Sequence, residues 1–575
     1  MARLAFYISY YRYLYGNAMQ FRSSLRRGFI FVFCVAIVFC CVMSGVKVAN
    51  AKKSVLKVNV GIISNQVPDV SFGSNGNVIV YLIDKKGLEK FLKKNDSVDV
   101  KIANEQVRGE DFKAEKNQIL DLGYNKQKKV ILVGIDKMED GKSGNKNKTK
   151  NSENISFDFE VAGAKMYCYL PKGKQLSVVI SGKYLENKEF KDDNLLLMSY
   201  FGLAQRAYKF DKYITDEKAE KQKITINKVL IDANATSELK SKLKDLNAQL
   251  EGIFLVRDLG NEPANVVYPE SFAKTIQQKF KNVKNVKVKV LDLKELKKLG
   301  MNMLIGVAQG SVKEPKVVVV EYKGNKSSDK FDLGLVGKGV CFDSGGLSLK
   351  PSPYMEGMKG DMIGAGTIMS SVYSLAKMGA KVNVVAVGGL VENMPSGSAQ
   401  KVGDIVKSMS GKTVEIIDTD AEGRLVLGDV LYYTQTKYKP KYLIDMATLT
   451  GAIMVALGQS MSGIFSNSDA LANALKNSGD NTGDKCWIMP MGEEFSENMK
   501  SNVADLRNLS KVRYGGSATA GAFLENFIAD SENWAHIDIA GVDFATSRSI
   551  FADADTATGY GVKLIVDYVY KNLVK

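Results

Sequence analysis

One histidine, His536, serves the whole 575-residue chain, and that scarcity excludes more chemistry than any other feature of the composition. A zinc site of the H-E-x-x-H type, or any centre needing two imidazoles, cannot be built. A Ser-His-Asp or Cys-His unit would have to use His536 itself. A catalytic metal would therefore be held mainly by oxygen ligands, which suits hard or borderline divalent ions in a carboxylate cluster. Cysteine tells less: of six, Cys34, Cys40 and Cys41 fall in one apolar run, leaving Cys168, Cys341 and Cys486 widely spaced. Three such residues make neither a disulfide framework nor a C-x-x-C metal site. Also missing are an internal repeat and any stripe of Arg interleaved with aromatics. The formal charge of +16 therefore reads as a solvated Lys-rich surface, concentrated in loops such as Lys142–Lys150 (KSGNKNKTK), rather than as a nucleic-acid footprint.

The N-terminus stands apart from the rest. Arg22, Arg26 and Arg27 precede the run Gly28–Met43 (GFIFVFCVAIVFCCVM), and Ala49-Asn50-Ala51 follows. A basic segment, a short apolar segment and an A-x-A site are the parts of a secretory signal, and the run is short for a spanning helix. A start at Met19 would give a signal of ordinary length. Residues 1–51 are thus expected to be a signal-like segment, with no stable membrane association once it is cleaved.

Residues 52–235 alternate short apolar runs (Val78–Ile83, Val130–Val133, Leu176–Ile180) with helical stretches such as Asn194–Phe210, as a smaller N-terminal α/β domain would. A polar insert, Asp136–Ser156, reads as a loop. Thr236–Arg257 carries apolar residues at helical spacing and is expected to be a connecting helix over 236–257. From 258 to 575, β-type runs (Val317–Glu321, Leu333–Val336, Val382–Val387, Thr413–Ile417, Tyr442–Ile444) alternate with helices. That pattern predicts a larger catalytic α/β domain with a largely parallel central sheet, whose site lies beyond the carboxyl ends of the strands.

Four segments after those strands collect charged residues. In Val336–Lys350 (VGKGVCFDSGGLSLK) a buried-type strand runs into Lys338, Asp343, a turn at Gly345 and Gly346, and Lys350. Met358-Lys359-Gly360-Asp361 opens a helix of small residues. Asp418-Thr419-Asp420-Ala421-Glu422-Gly423-Arg424 places acids two apart, which in an extended segment would project to one side. Ala447–Gly451 (ATLTG) is the fourth. Alone, an Asp in a Gly-rich turn is usually a turn former and a Lys beside a buried strand usually snorkels; together, in a chain with no histidine to spare, they point to a site.

These segments, above all Thr419–Leu425 (TDAEGRL), resemble the signatures of the leucyl (cytosol) aminopeptidase family of dinuclear metallopeptidases. Arg257–Pro263 (RDLGNEP), Val391–Met394 (VENM), Ala447–Ala452 (ATLTGA), Trp534–Gly541 (WAHIDIAG) and Ala557–Gly559 resemble it in the expected order, while residues 52–235 do so loosely. The resemblance implies two divalent ions per subunit, Mn²⁺ or Zn²⁺. Lys338, Asp343, Asp361 and Glu422 would hold one; Asp343, Asp420 and Glu422 would hold the other, with the Asp420 carbonyl assisting. Lys338 would ligate as a neutral amine. A water acidified between the ions would attack the peptide carbonyl, Lys350 would stabilise the oxyanion, and Arg424 would hold a bicarbonate serving as general base. One ion would take the substrate's free α-amino group, restricting attack to N-termini.

Met358, Thr448, Gly451 and Ala540 match positions lining an apolar pocket for leucine-like residues. Asp543, near its rim, and Asp418, where the family has Asn, depart from the pattern. The implied function is release of N-terminal amino acids from peptides by a homohexamer, with His536 structural. Some relatives also bind DNA; the basic charge permits that, but no recognition helix or aromatic-basic patch supports it. The family is cytoplasmic, whereas residues 19–51 look like an export signal, so an exported, periplasm-like location is the competing expectation.

Overall fold

Valine-rich runs flanked by glycine and charged turns form the strands of two sheets, joined by one long helix. The computed structural model describes residues 59–63, 76–93, 98, 100–125, 128–136, 154–529 and 533–574. The signal-like segment 1–51 and most of the polar insert, including Lys142–Lys150, lie outside them. Among the described residues no helix is long and apolar enough to cross a membrane.

The N-terminal sheet has six strands, β1 (Asn59–Ile63), β2 (Gly76–Ile83), β3 (Ile119–Asn125), β4 (Lys128–Gly134), β5 (Gln175–Tyr184) and β6 (Thr225–Asp232), in the order β1-β6-β5-β2-β4-β3. All pairings are parallel except β3 with β4. Its central strands are buried on both faces, as helix-covered parallel strands are. Helices α1 (Ile155–Met166) and α2 (Asp193–Ala207) pack on each other.

Helix α3 (Ser237–Asn261) is longer than the sequence pattern suggested. The Thr236 hydroxyl caps its start by accepting from Leu239 N at 3.1 Å. It ends at Glu262, before Pro263, because a residue preceding proline disfavours helical backbone. The added turn carries Arg257–Asn261 into the larger sheet's territory, where Asn261 accepts from Ala557 N at 2.8 Å. One apolar core accordingly runs from Val78 and Val178 through Ile253 and Val256 to Ile368 and Val384.

The larger sheet comprises β7 (Val286–Leu291), β8 (Lys316–Lys323), β9 (Leu333–Asp343), β10 (Asn383–Asn393), β13 (Tyr442–Ala447), β14 (Ser462–Ser466), β15 (Cys486–Ile488) and β17 (Trp534–Asp538), ordered β15-β14-β17-β13-β9-β10-β8-β7. Its centre, β17-β13-β9-β10, is parallel; β7, β8 and the β14–β17 pair are antiparallel. Helices α4 (Ile363–Met378) and α5 (Gly423–Tyr438) pack on β9 and β10. The run Thr413–Ile417 is not in this sheet: its strand, β12 (Thr413–Glu415), pairs with β11 (Ile405–Lys407) and β16 (Leu506–Arg507) in a small separate sheet. The described cysteines 168, 341 and 486 are free.

Candidate metal centre

Strand β9 continues through Lys338 to Asp343, so Lys338 sits within the strand and not beyond it. Its neighbours Gly337 and Gly339 fit a strand covered on both faces. From mid-strand the buried Lys338 side chain crosses to the segment preceding α5. There its Nζ lies 2.8 Å from Glu422 Oε1, 2.7 Å from Asp361 Oδ1 and 2.9 Å from the Thr448 carbonyl. Gly423 makes the passage possible: a Cβ there would lie 2.6 Å from Lys338 Cε and 2.8 Å from Cδ and Nζ.

Asp343 closes the strand. Its Oδ1 accepts from Gly345 N and Asn393 Nδ2, both at 2.8 Å, and its Oδ2 lies 2.9 Å from Lys350 Nζ. The chain turns back through Gly345 and Gly346, both with positive φ, where a Cβ at Gly345 would meet Ser348 O at 2.3 Å. Lys350 also contacts Asp420.

The acidic run is not extended as expected: Thr419 and Asp420 occupy a turn and Glu422 has helical backbone. Its acids consequently diverge, Asp420 toward Lys350 and Glu422 toward Lys338. Asp418 faces neither lysine; its Oδ1 accepts from Asp420 N at 2.9 Å and closes the turn. Thr419 stitches this turn to the glycine loop, donating to Gly345 O at 2.6 Å and accepting from Ser348 N at 2.8 Å.

The structure thus brings Lys338, Asp343, Lys350, Asp361, Asp420 and Glu422 together. Ligand oxygens of Asp343, Asp361 and Glu422, all buried, lie within 4.8 Å of one another. Burial is the strongest influence on Asp361 and drives its carboxyl well above the usual range, with Glu422 and Asp343 adding repulsion against the pull of Lys338. Burial and then Asp343 likewise raise Glu422, and they push Asp420 up to about 7. For Lys338 and Lys350 burial opposes the charge, yet the carboxylates prevail and raise both. Lys338 thus serves as counter-charge to Asp361 and Glu422.

Does this set suit metal? Four carboxylates converge on only two lysines, Lys338 and Lys350. Asp361 Oδ2 is buried without a hydrogen-bond partner, an arrangement that is costly unless a cation uses it. The all-oxygen donors with one amine fit hard or borderline divalent ions.

Arg424, the second residue of α5, is buried, donates from Nη1 to Asn508 O at 2.9 Å and leaves Nε without a partner. Burial lowers its pKa to about 10, so it stays charged. Sequence reasoning missed two braces. Asn393 ties Asp343 to the Thr419 carbonyl, and Asn508 receives Ile417 N while donating to the Asp418 carbonyl. Asn393 stood within the VENM segment; nothing local marks Asn508.

Of the pocket residues, Thr448 binds the cluster directly, donating to Asp361 Oδ1 at 2.7 Å. Met358 begins the turn leading to Asp361, Gly451 is exposed at the first turn of a short helix, and Ala540 packs against the Ile453–Phe465–Ala518 cluster. Asp543 is half-buried and accepts from Gly541 N, with its carboxyl pushed by burial to about 6. His536 is buried on β17, its Nδ1 2.6 Å from Asp445 Oδ1, while Trp534 Nε1 donates to Asp445 Oδ2.

Residues 254–566 match the model for the catalytic domain of the cytosol aminopeptidase family. Among curated relatives, a probable cytosol aminopeptidase of Bradyrhizobium sp. is 48% identical over 364 residues, covering 63% of this chain and 72% of the relative. One from Brucella ovis is 42% identical over 438 residues, covering 76% and 84%. Among solved structures, a mutant tomato leucine aminopeptidase matches with TM-score 0.75 at 27% identity, over 91% of this chain and 98% of that one. The bottromycin maturation enzyme BotP in complex with Mn matches with TM-score 0.72 at 27% identity, over 87% and 99%.

Proposed function

The chain belongs to the cytosol aminopeptidase family and is a metal-dependent hydrolase of peptides, and from that premise we propose how its buried acidic cluster releases N-terminal residues. The observation that carries the reading is the triad Asp343–Asp361–Glu422 with the partnerless Asp361 Oδ2. Lys338, Asp343, Asp361 and Glu422 would hold one divalent ion, and Asp343, Asp420 and Glu422 a second, Mn²⁺ or Zn²⁺. Two such ions supply Lewis acidity and an acidified water.

The protein's own groups do the rest. Thr448 fixes Asp361, and Asn393 fixes Asp343, so the carboxylates are oriented before substrate arrives. Lys350, which contacts Asp343 and Asp420 and is partly open to solvent, would stabilise the oxyanion. Arg424, with its Nε free, would hold bicarbonate as the proton acceptor, since no uncommitted carboxylate or imidazole stands in the cluster. Met358, Gly451 and Ala540 would receive a leucine-like side chain. Exposed apolar residues fringing these loops, Leu347, Leu349, Tyr354, Val503, Val512 and Tyr514, suit burial in a homohexamer.

The test is hydrolysis of leucine p-nitroanilide by the purified protein with chelator, then with Mn²⁺ or Zn²⁺ restored. Activity that vanishes and returns is expected. Activity indifferent to chelation, or none with any metal on a panel of N-terminal residues, would overturn the reading.

A further inference from the structure

Asp538, the last residue of β17, is fully buried. Its Oδ1 accepts from Leu449 N at 3.1 Å, Ala540 N at 3.2 Å and Thr450 N at 3.5 Å, and its Oδ2 accepts from the Thr450 hydroxyl at 2.7 Å. Three of these four donors belong to the two residues that follow Thr448. Burying a carboxyl group is costly unless its oxygens find donors, and here the donors come from that loop. None of these bonds reaches a residue assigned above to metal, oxyanion or base.

The loop needs Asp538 in turn. Strand β13 ends at Ala447 and residues 448–450 belong to no helix or strand, so the N–H groups of Leu449 and Thr450 have no ladder to join. Before Thr448, Ala447 lies opposite Asp538 in the parallel β13–β17 pair, and its carbonyl accepts from Ile539 N at 2.8 Å. After Thr448, the Thr450 hydroxyl accepts from Ile453 N at 3.1 Å and starts the short helix Gly451–Leu457. Thr448 is thus held from both directions by the end of β17. It makes two contacts with the acidic cluster, donating from its hydroxyl to Asp361 Oδ1 at 2.7 Å and offering its carbonyl to Lys338 Nζ at 2.9 Å.

We infer that Asp538 is a positioning residue of the metal centre: by holding Leu449 and Thr450 it sets where Thr448 meets Asp361 and Lys338. The inference rests on the reading of the cluster as that centre. Asp361 carries the partnerless Oδ2, and the Thr448 hydroxyl on Oδ1 helps fix which way that oxygen faces. Outer partners that orient a ligand in this way cost about 10- to 100-fold in metal affinity or activity when removed. Arg424 also feels the Asp538 carboxyl, but that influence does not pass through Thr448.

Asp538→Asn keeps the volume but replaces one accepting oxygen by an N–H donor. In the metal-loaded full-length protein it should lower kcat for leucine p-nitroanilide about 10- to 100-fold at saturating Mn²⁺. It should also shift the visible absorption of the Co²⁺-substituted protein, a signature of ligand geometry that lost stability alone would not move. In a Thr448→Val background the same substitution should cost little more, because residues acting through one contact are not additive. Thr450→Val, which takes the hydroxyl away from Oδ2, is a second and milder test, and Thr450→Ser should restore the wild-type rate. Wild-type kcat and absorption in both Asp538→Asn and Thr450→Val would overturn the inference. So would an undiminished effect of Asp538→Asn in the Thr448→Val background, which would point to Arg424 or the fold instead. A wild-type protein that neither binds Co²⁺ nor hydrolyses with any metal would overturn the centre itself, and the inference with it.

Discussion

Replacing Gly423 with alanine adds one methyl group, and its consequence can be worked out from the position of Lys338. The new Cβ would stand 2.6 Å from Lys338 Cε and 2.8 Å from Cδ and Nζ, where nonbonded carbons settle at about 3.5–4.0 Å. A free lysine would swing aside at little cost. This one is pinned by Asp361, Glu422 and the Thr448 carbonyl, so relief requires either the ammonium or the α5 N-terminus to move by about 1 Å. Overpacking of this kind costs about 1–3 kcal/mol, of which up to about 1 kcal/mol is returned by alanine's better helix propensity. The melting temperature should therefore fall by only a few degrees. Catalysis should suffer far more, because a displacement of about 1 Å in a positioned group costs about 100-fold in rate. The assay is kcat/KM for leucine p-nitroanilide at saturating Mn²⁺, read beside a thermal melt. Gly366→Ala is the control, since its Cβ would find only ordinary contacts at 3.9 and 4.0 Å; it should stabilise by about 0.5–1 kcal/mol with activity unchanged. If Gly423→Ala retains activity within about threefold of wild type, the claim that this glycine exists to let Lys338 through is wrong.

Glu422→Ala removes a carboxylate from the centre of the cluster and should abolish turnover together with metal content by elemental analysis; full activity with two ions bound would refute its assignment. Arg424→Ala should slow hydrolysis by about 10²-fold with metal content intact, and added bicarbonate should matter less to it than to wild type. Loss of both ions instead would make Arg424 structural. Burial holds the Asp429 carboxyl up at about 7 despite hydrogen bonds from Met409 N and Leu304 N. A carboxyl raised above its unfolded value of 3.8 contributes full stability only below that value and loses it as pH rises through about 7. Asp429→Asn should therefore melt progressively higher relative to wild type between pH 4 and 7, whereas parallel melting curves would show that Asp429 does not titrate there.

The sequence by itself determined the family, the broad α/β architecture and the identity of the residues that meet at the cluster. It could do so because those properties are local. Apolar runs such as Val78–Ile83 and Tyr442–Ile444 read as strands wherever they are found, and TDAEGRL with its companion segments is specific as a string. What only the tertiary structure decided depends on partners distant in the chain. Lys338 proved to lie inside a strand, β9, whose two faces are covered by helices. Thr413–Glu415 left the main sheet because its pairing partner is Leu506–Arg507, about ninety residues on. Asn508 and Asn393 became braces through contacts that no periodicity encodes. Arg257, read only as part of a family segment, proved to be fully buried, its guanidinium donating to the backbone carbonyls of Thr558 and Gln205. Local sequence carries propensity and chemistry, but charge compensation and burial are properties of the assembled chain.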